Sequence, residues 1–278
     1  GDAPPRPRRD RAAPIGVFDS GVGGLSVLRE IRRELPAEDL LYVADSGYAP
    51  YGDKPAELVL ARSVAVVDFL VATGAKAVVV ACNTATGVAV DALRARHDLP
   101  IVAIEPAVKP AAARTRSGAV GVLATTQTLA GPKFARLVAA HANGVRVIPR
   151  PAPDLVDLVE AGDLASERTG ALVRAAVHPL VEQGVDTIVL GCTHYPFLAS
   201  VIAEAAGPGV TVVDSAVPVA RQVRRRLAEA ALLRPGPARG SERFWTTGAL
   251  ERVGPVVERL WGAPVEVHEW RAEEPPRD

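Results

Sequence analysis

Several absences narrow the field before any motif is read. The chain carries no formal net charge, because Lys and Arg total 32 and so do Asp and Glu. Balanced charge offers no electrostatic footing for nucleic acid or an anionic membrane as partner. No apolar run approaches the roughly 18–20 residues needed to cross a bilayer, and the polar, Pro/Arg-rich N-terminus has no apolar signal core. The expectation is a cytoplasmic protein. Cysteine is confined to two positions, Cys82 and Cys192. They form no Cys-x-x-Cys motif, which argues against a dithiol redox site, and a structural disulfide is not expected in a cytosolic chain. Cys192 and His194 alone are too poor a ligand set for a metal. Gly21, Gly23 and Gly24 lack the Gly-x-Gly-x-x-Gly spacing of a dinucleotide loop and read as a flexible strand-to-helix turn.

What is present is a chain of 278 residues, 48% hydrophobic and 23% charged, long enough for one large or two modest domains with a sizeable core. Residues 1–13 and the stretch from Arg271 to Asp278 read as disordered tails. Between them, short β-branched runs alternate with Ala/Leu/Arg-rich helical stretches. The candidate strands are Ile15–Asp19, Leu40–Ala44, Ala77–Ala81, Ile101–Ile104, Ala119–Leu123, Val145–Ile148, Thr187–Leu190 and Val210–Val213, with weaker ones near Phe244–Thr246 and Val265–His268. They are apolar throughout rather than alternating, as parallel strands covered on both faces should be. Helices are expected at Pro55–Ala72, Ser166–Gln183 and Ala216–Ala231. The fold class is therefore α/β with parallel sheets and right-handed crossovers.

Two segments share a form. Val78-Val79-Val80-Ala81-Cys82-Asn83-Thr84 and Thr187-Ile188-Val189-Leu190-Gly191-Cys192-Thr193-His194 each run from a β-branched strand through a small residue to Cys, then to an amide or hydroxyl residue and a helical stretch. Two related halves facing each other would bring both strand ends to one cleft, where open α/β sheets bind ligands. A helix N-terminus after Cys82 would lower its thiol pKa, with Asn83 or Thr84 capping the helix or binding a carboxylate; the bland alternative is a buried cysteine beside a cap. Around Cys192, Thr193 could cap, Pro196 suits a first helical turn, and His194 could stabilise a thiolate or hold a proton. A cysteine hydrolase leaves the second thiol without a role. Inversion at a carbon acid uses both, one group removing the α-proton from one face while the other returns a proton to the opposite face. Asp19, ending the first strand, suits a substrate ammonium or a hydrogen bond to a neighbouring acid or base.

The segments Pro14–Gly24, Tyr48-Ala49-Pro50-Tyr51-Gly52, Ala81-Cys82-Asn83-Thr84-Ala85, Ile104-Glu105-Pro106, Gly121-Val122-Leu123-Ala124-Thr125 and Gly191-Cys192-Thr193-His194-Tyr195-Pro196 follow in an order and spacing that resembles the aspartate/glutamate racemase family, and within it the glutamate racemases. The likeness runs from about Ile15 to about Ala220. Family members often carry a tyrosine where this chain has Phe134 and a small residue near Gln127. The resemblance implies two similar parallel-sheet α/β domains, 14–108 plus 216–272 and 109–215, facing each other across a central cleft. It also implies no pyridoxal phosphate and no metal, in keeping with the few lysines (Lys54, Lys76, Lys109, Lys133), which sit in no Schiff-base context. It further implies a homodimer and a reaction that interconverts L- and D-glutamate to supply peptidoglycan synthesis. Cys82 would act on the D-isomer, assisted by Asp19, and Cys192 on the L-isomer, assisted by His194 and Glu160. Glu160 follows Leu155-Val156-Asp157-Leu158-Val159; its alternative reading is an exposed helix residue. Ser20, Tyr51, Gly52, Asn83, Thr84, Thr125 and Thr193, with Asp19 and His194, would hold the amino acid. The alternatives are an aspartate or other amino-acid racemase of the same fold, and a non-catalytic amino-acid- or gyrase-binding module.

Overall fold

The structure, a computed structural model, describes residues 10–271. Its strands in chain order are β1 (Ile15–Asp19), β2 (Leu40–Ala44), β3 (Ala77–Val80), β4 (Ile101–Ala103), β5 (Ala119–Ala124), β6 (Arg146–Pro151), β7 (Thr187–Leu190), β8 (Thr211–Val213), β9 (Glu242–Thr246) and β10 (Val267–Glu269). They form two sheets, ordered β10-β9-β2-β1-β3-β4 and β6-β5-β7-β8. Every strand pair is parallel. β1, β2, β3, β5 and β7 are buried along their whole length, which is why the sequence shows unbroken apolar runs there instead of a period of two. β1, β2 and β7 have the bounds expected from the sequence. β6 does not: the expected Val145–Ile148 becomes Arg146–Pro151. It pairs only with β5 at the sheet edge, where Pro149 and Pro151 cost no ladder bond.

The two orders are the same pattern. In the first sheet β1 lies between β2 and β3, and β4 follows outside β3; in the second β5 lies between β6 and β7, and β8 follows outside β7. β9 and β10 extend only the first sheet, beyond β2. The strand order reverses between β1 and β3, and again between β5 and β7. Crevices for ligands open at the carboxyl ends of such switch points. Asp19 and Cys82 stand at the first, Thr125 and Cys192 at the second.

Residues 1–9 of the expected N-terminal tail, and 272–278 at the other end, lie outside the described residues. Asp10–Ala13 form a turn closed by the Ala13 N–H on the Asp10 carbonyl at 3.0 Å. The Arg11 carbonyl accepts from Lys76 Nζ at 2.6 Å. Lys76 also pairs with Glu38 at 2.5 Å, both side chains essentially without solvent exposure. Glu38 in turn accepts the Arg234 N–H at 2.7 Å, so one buried pair ties the chain start and the 234 loop to β3.

Candidate active site

Cys82 leaves β3 and is itself the N-cap of helix Asn83–Arg96: its sulfur accepts the Ala85 N–H at 3.4 Å. The expected cap at Asn83 or Thr84 is corrected here, since both lie inside the first turn. The expected lowering of the Cys82 thiol pKa is corrected too. Burial, reinforced by the charge of Asp19, pushes it well above its ordinary value, and the N–H groups of Ala85 and Ser20 do not offset this. Removing a thiolate from water costs more than two backbone dipoles return.

Asp19 ends β1 fully buried. Its Oδ2 accepts the Gly24 N–H at 2.9 Å and, more weakly, the Gly21 N–H at 3.4 Å. Its Oδ1 is buried without a partner. Burial raises its pKa; His194 opposes this and Glu160 adds to it.

On the other side the chain does not enter an α-helix directly after Cys192. A 3₁₀ turn, Tyr195–Leu198, comes first, with Pro196 in it, and the α-helix Ala199–Ala206 follows. Thr193 is not a side-chain cap; its carbonyl accepts from Ser26 Oγ at 2.8 Å, a bond between the two sheet units. The tight turn brings His194 Nδ1 to 3.5 Å from the Cys192 sulfur. Its Nε2 meets Glu160 Oε1 at 2.7 Å. Burial alone would depress the imidazole, but Cys192 and Glu160 together carry its pKa well above the usual value. Glu160 closes helix Pro153–Glu160 and is buried, not an exposed helix residue. Its Oε1 also accepts the Val22 N–H at 2.8 Å.

That contact explains the glycines better than flexibility does. A Cβ on Gly21 would stand 1.7 Å from Glu160 Oε1, and one on Gly23 would stand 2.5 Å from His194 Nδ1. The loop after β1 is bare because the histidine–glutamate pair packs against its backbone.

Eleven of the twelve residues singled out in the sequence line one small cavity: Asp19, Ser20, Tyr51, Gly52, Cys82, Asn83, Thr84, Thr125, Cys192, Thr193 and His194. Glu160 stands behind His194. Thr84, from the first unit, and Thr125, from the second, join hydroxyls across the cleft at 2.8 Å. Pro50, Val156 and Gly191 complete the lining; the sequence motifs contain them but gave them no role. Thr128, 3.1 Å from Thr125 Oγ1, was missed as well. So was Asp45, just past the end of β2 and fully buried; the strand-end position that drew attention to Asp19 could have found it. The cavity measures about 10 Å³, room for no more than about one water, so anything larger enters only when its walls part. An open hollow of about 500 Å³ lies outside Pro50, Gly52, Thr125 and Val156. Among the described residues no group of three or more His, Cys, Asp or Glu is placed to hold a metal ion, and no helix is long and apolar enough to cross a membrane.

Comparison with known proteins shows the family and the fold. Residues 15–223 match the family model described as Asp/Glu/Hydantoin racemase. The glutamate racemase of Ectopseudomonas mendocina is 53% identical over 257 residues, covering 92% of this chain and 97% of that protein. The crystal structure of a glutamate racemase from Bacillus anthracis superposes with a TM-score of 0.83 at 32% identity, covering 92% of this chain and 97% of the other. That of the Escherichia coli glutamate racemase, in complex with L-glutamate and the activator UDP-MurNAc-Ala, gives 0.81 at 33% identity over 92% and 97%.

Proposed function

We propose that this chain, which belongs to the Asp/Glu/hydantoin racemase family, interconverts L- and D-glutamate with Cys82 and Cys192 as its paired acid and base. One observation carries the reading: two thiols, at equivalent strand ends of two like sheets, line a single buried cavity. A carbon acid held between them can lose its proton to one sulfur and gain one from the other, on opposite faces.

Cys192 acts on the L-isomer. The His194 imidazolium, held by Glu160, supports negative charge at its sulfur. Cys82 keeps its proton through neutral pH because burial and Asp19 raise its pKa, so it is the donor in this direction. In reverse, Cys82 must first lose that proton, and the substrate ammonium beside Asp19 is the cation that offsets the cost. The unpaired Asp19 Oδ1 suits that ammonium. Ser20, Gly52, Asn83, Thr84, Thr125 and Thr193 bind the amino acid through its charged ends, and Tyr51 binds it as part of the same wall, its hydroxyl already donated to Asp45.

Glutamate as substrate is supported by the similarity to glutamate racemases over most of the chain. The reaction requires neither pyridoxal phosphate nor metal, and none of the four lysines lines the cavity. The proposal extends to a cytoplasmic homodimer that supplies D-glutamate for peptidoglycan. Its domains are 14–108 plus 216–272 and 109–215, a division supported by β1–β4, β9 and β10 sharing one sheet and β5–β8 the other.

The test is α-proton exchange in heavy water, without added cofactor, on D-glutamate and separately on D-aspartate. Decay of glutamate rotation with deuterium in the product is expected. Exchange of aspartate alone would reassign the substrate, and no exchange by folded, reduced protein would leave a binding module as the better reading.

A further inference from the structure

Two strands over from Cys82, on the far side of β1, stands a carboxylate that the chemistry above does not use. Asp45 follows β2, is fully buried, and has every lone-pair direction occupied. Arg62, from helix Ala56–Ala72, grips it in bidentate fashion, Nε to Oδ2 at 3.0 Å and Nη2 to Oδ1 at 3.0 Å. Thr247, just past β9, donates to Oδ1 at 2.6 Å. The fourth donor is the Tyr51 hydroxyl, 2.5 Å from Oδ2. Arg62 is itself fixed from above, with the Tyr48 ring 3.8 Å from its guanidinium carbon and Trp270 at 5.9 Å.

The knot matters because of what Tyr51 belongs to. The segment Pro50–Gly52 forms part of the cavity wall between Cys82 and the open hollow outside. It closes tightly on the opposite unit, since a Cβ on Gly52 would stand 2.6 Å from Thr125 Cβ. Gly52 offers no side chain to anchor this wall, and Pro50 has no N–H. The side-chain anchor is the Tyr51 hydroxyl, which reaches out of the cleft to the Asp45 carboxylate. A buried carboxylate is retained at a cost unless every partner is kept, so the arrangement holds the wall at one spacing rather than a range.

We propose that Asp45, clamped by Arg62 and Thr247, is a positioning residue for substrate binding that acts through Tyr51 to fix the Pro50–Gly52 wall. The proposal rests on the reading of this cleft as an amino-acid racemase site. On that reading the wall holds a charged end of the substrate and takes no part in proton transfer, so it serves ground state and transition state alike. Loss of its anchor therefore weakens binding uniformly, raising KM while sparing kcat.

The experiment uses the whole protein with Tyr51→Phe, Asp45→Asn and the double variant. Racemisation of D-glutamate is followed by circular dichroism, its binding by calorimetry and folding by thermal melting. Tyr51→Phe, which removes only the linking oxygen, should raise KM and the calorimetric Kd about tenfold, as for a lost hydrogen bond to a charged group, with kcat within about twofold. Adding Asp45→Asn should change KM by less than about twofold more, because both act on one linkage. If Asp45→Asn does not fold, Thr247→Val replaces it, loosening the carboxylate without touching Tyr51; it should raise KM in the Tyr51 background and not in Tyr51→Phe. An unchanged KM in Tyr51→Phe, a fall in kcat without a change in KM, or independent effects of the two substitutions would each overturn the proposal. Wild-type protein that neither binds nor racemises glutamate would sink the substrate reading, and this proposal with it; failure confined to the variants sinks this one alone.

Discussion

Cys82 and Cys192 follow equivalent strands, β3 and β7, of sheets with the same order, yet the chain leaves each sulfur differently. After Cys82 an α-helix begins at once and the sulfur caps it. After Cys192 a 3₁₀ turn intervenes and folds His194 back to 3.5 Å from the sulfur. The Cys82 side therefore has a buried carboxylate, Asp19, and two backbone N–H groups. The Cys192 side has an imidazole backed by a carboxylate. A shared topology brings two thiols to one cleft, but the groups that meet each sulfur there, local and distant, set its surroundings apart. The halves are also joined: Glu160 of the second unit, which holds His194, accepts Val22 N–H in the loop that follows Asp19 of the first.

The largest expected effect treats the halves alike. Cys82→Ser and Cys192→Ser should each lower racemisation about 10³-fold, the scale of a lost general acid or base, with rotation of either enantiomer as the assay. Activity within twofold of wild type in either variant would remove that thiol from the mechanism.

Next come the helpers, where the halves should part company. His194→Asn and Asp19→Asn should each cost about 10²-fold in kcat/KM. Because the equilibrium constant of a racemisation is one, kcat/KM must fall equally in both directions. The difference appears in isotope effects. His194→Asn should enlarge the effect with α-deuterated L-glutamate more than with the D-isomer, and Asp19→Asn the reverse. Equal isotope effects in both variants would mean that the helpers are not divided between the faces.

A smaller effect tests the joint. Gly21→Ala should force Glu160 off the Val22 N–H, lowering kcat/KM about tenfold and costing about 2 kcal/mol of stability, as overpacking does. A crystal structure with the His194–Glu160 distance unchanged at 2.7 Å and full activity would count against the joint.

The smallest is a pH effect on stability. The folded pKa of His194 is raised, so the stability it adds is fully present below its unfolded pKa of about 6.5 and is lost as pH rises through the folded value. The Tm gap between wild type and His194→Asn should thus narrow by a few degrees on going from pH 6 to alkaline pH. A gap that widens would show that the imidazole is buried neutral.

Much of this was legible in the chain. Short, largely apolar runs marked β1, β2 and β7 to the residue because both faces of those strands are covered. β6 was blurred because an edge strand tolerates Arg146, Pro149 and Pro151. The cysteines, Asp19 and His194 stood out at strand ends. The Cys82 pKa was misjudged, because the helix N-terminus is visible in sequence while burial and the facing carboxylate are not. Gly21 and Gly23 were read as flexible, since what crowds them arrives from segments more than a hundred residues away.

The sequence by itself determined the two parallel sheets, the paired strand-end thiols and the family, because these depend on local residue patterns and their spacing. Only the tertiary structure decided that Glu160 holds His194, that Asp45 holds Tyr51 and that Cys82 keeps its proton. Those are matters of distance and desolvation, which residue patterns do not record: Asp45 is six residues from Tyr51 and Glu160 thirty-four from His194, and only the folded chain brings these side chains together out of water.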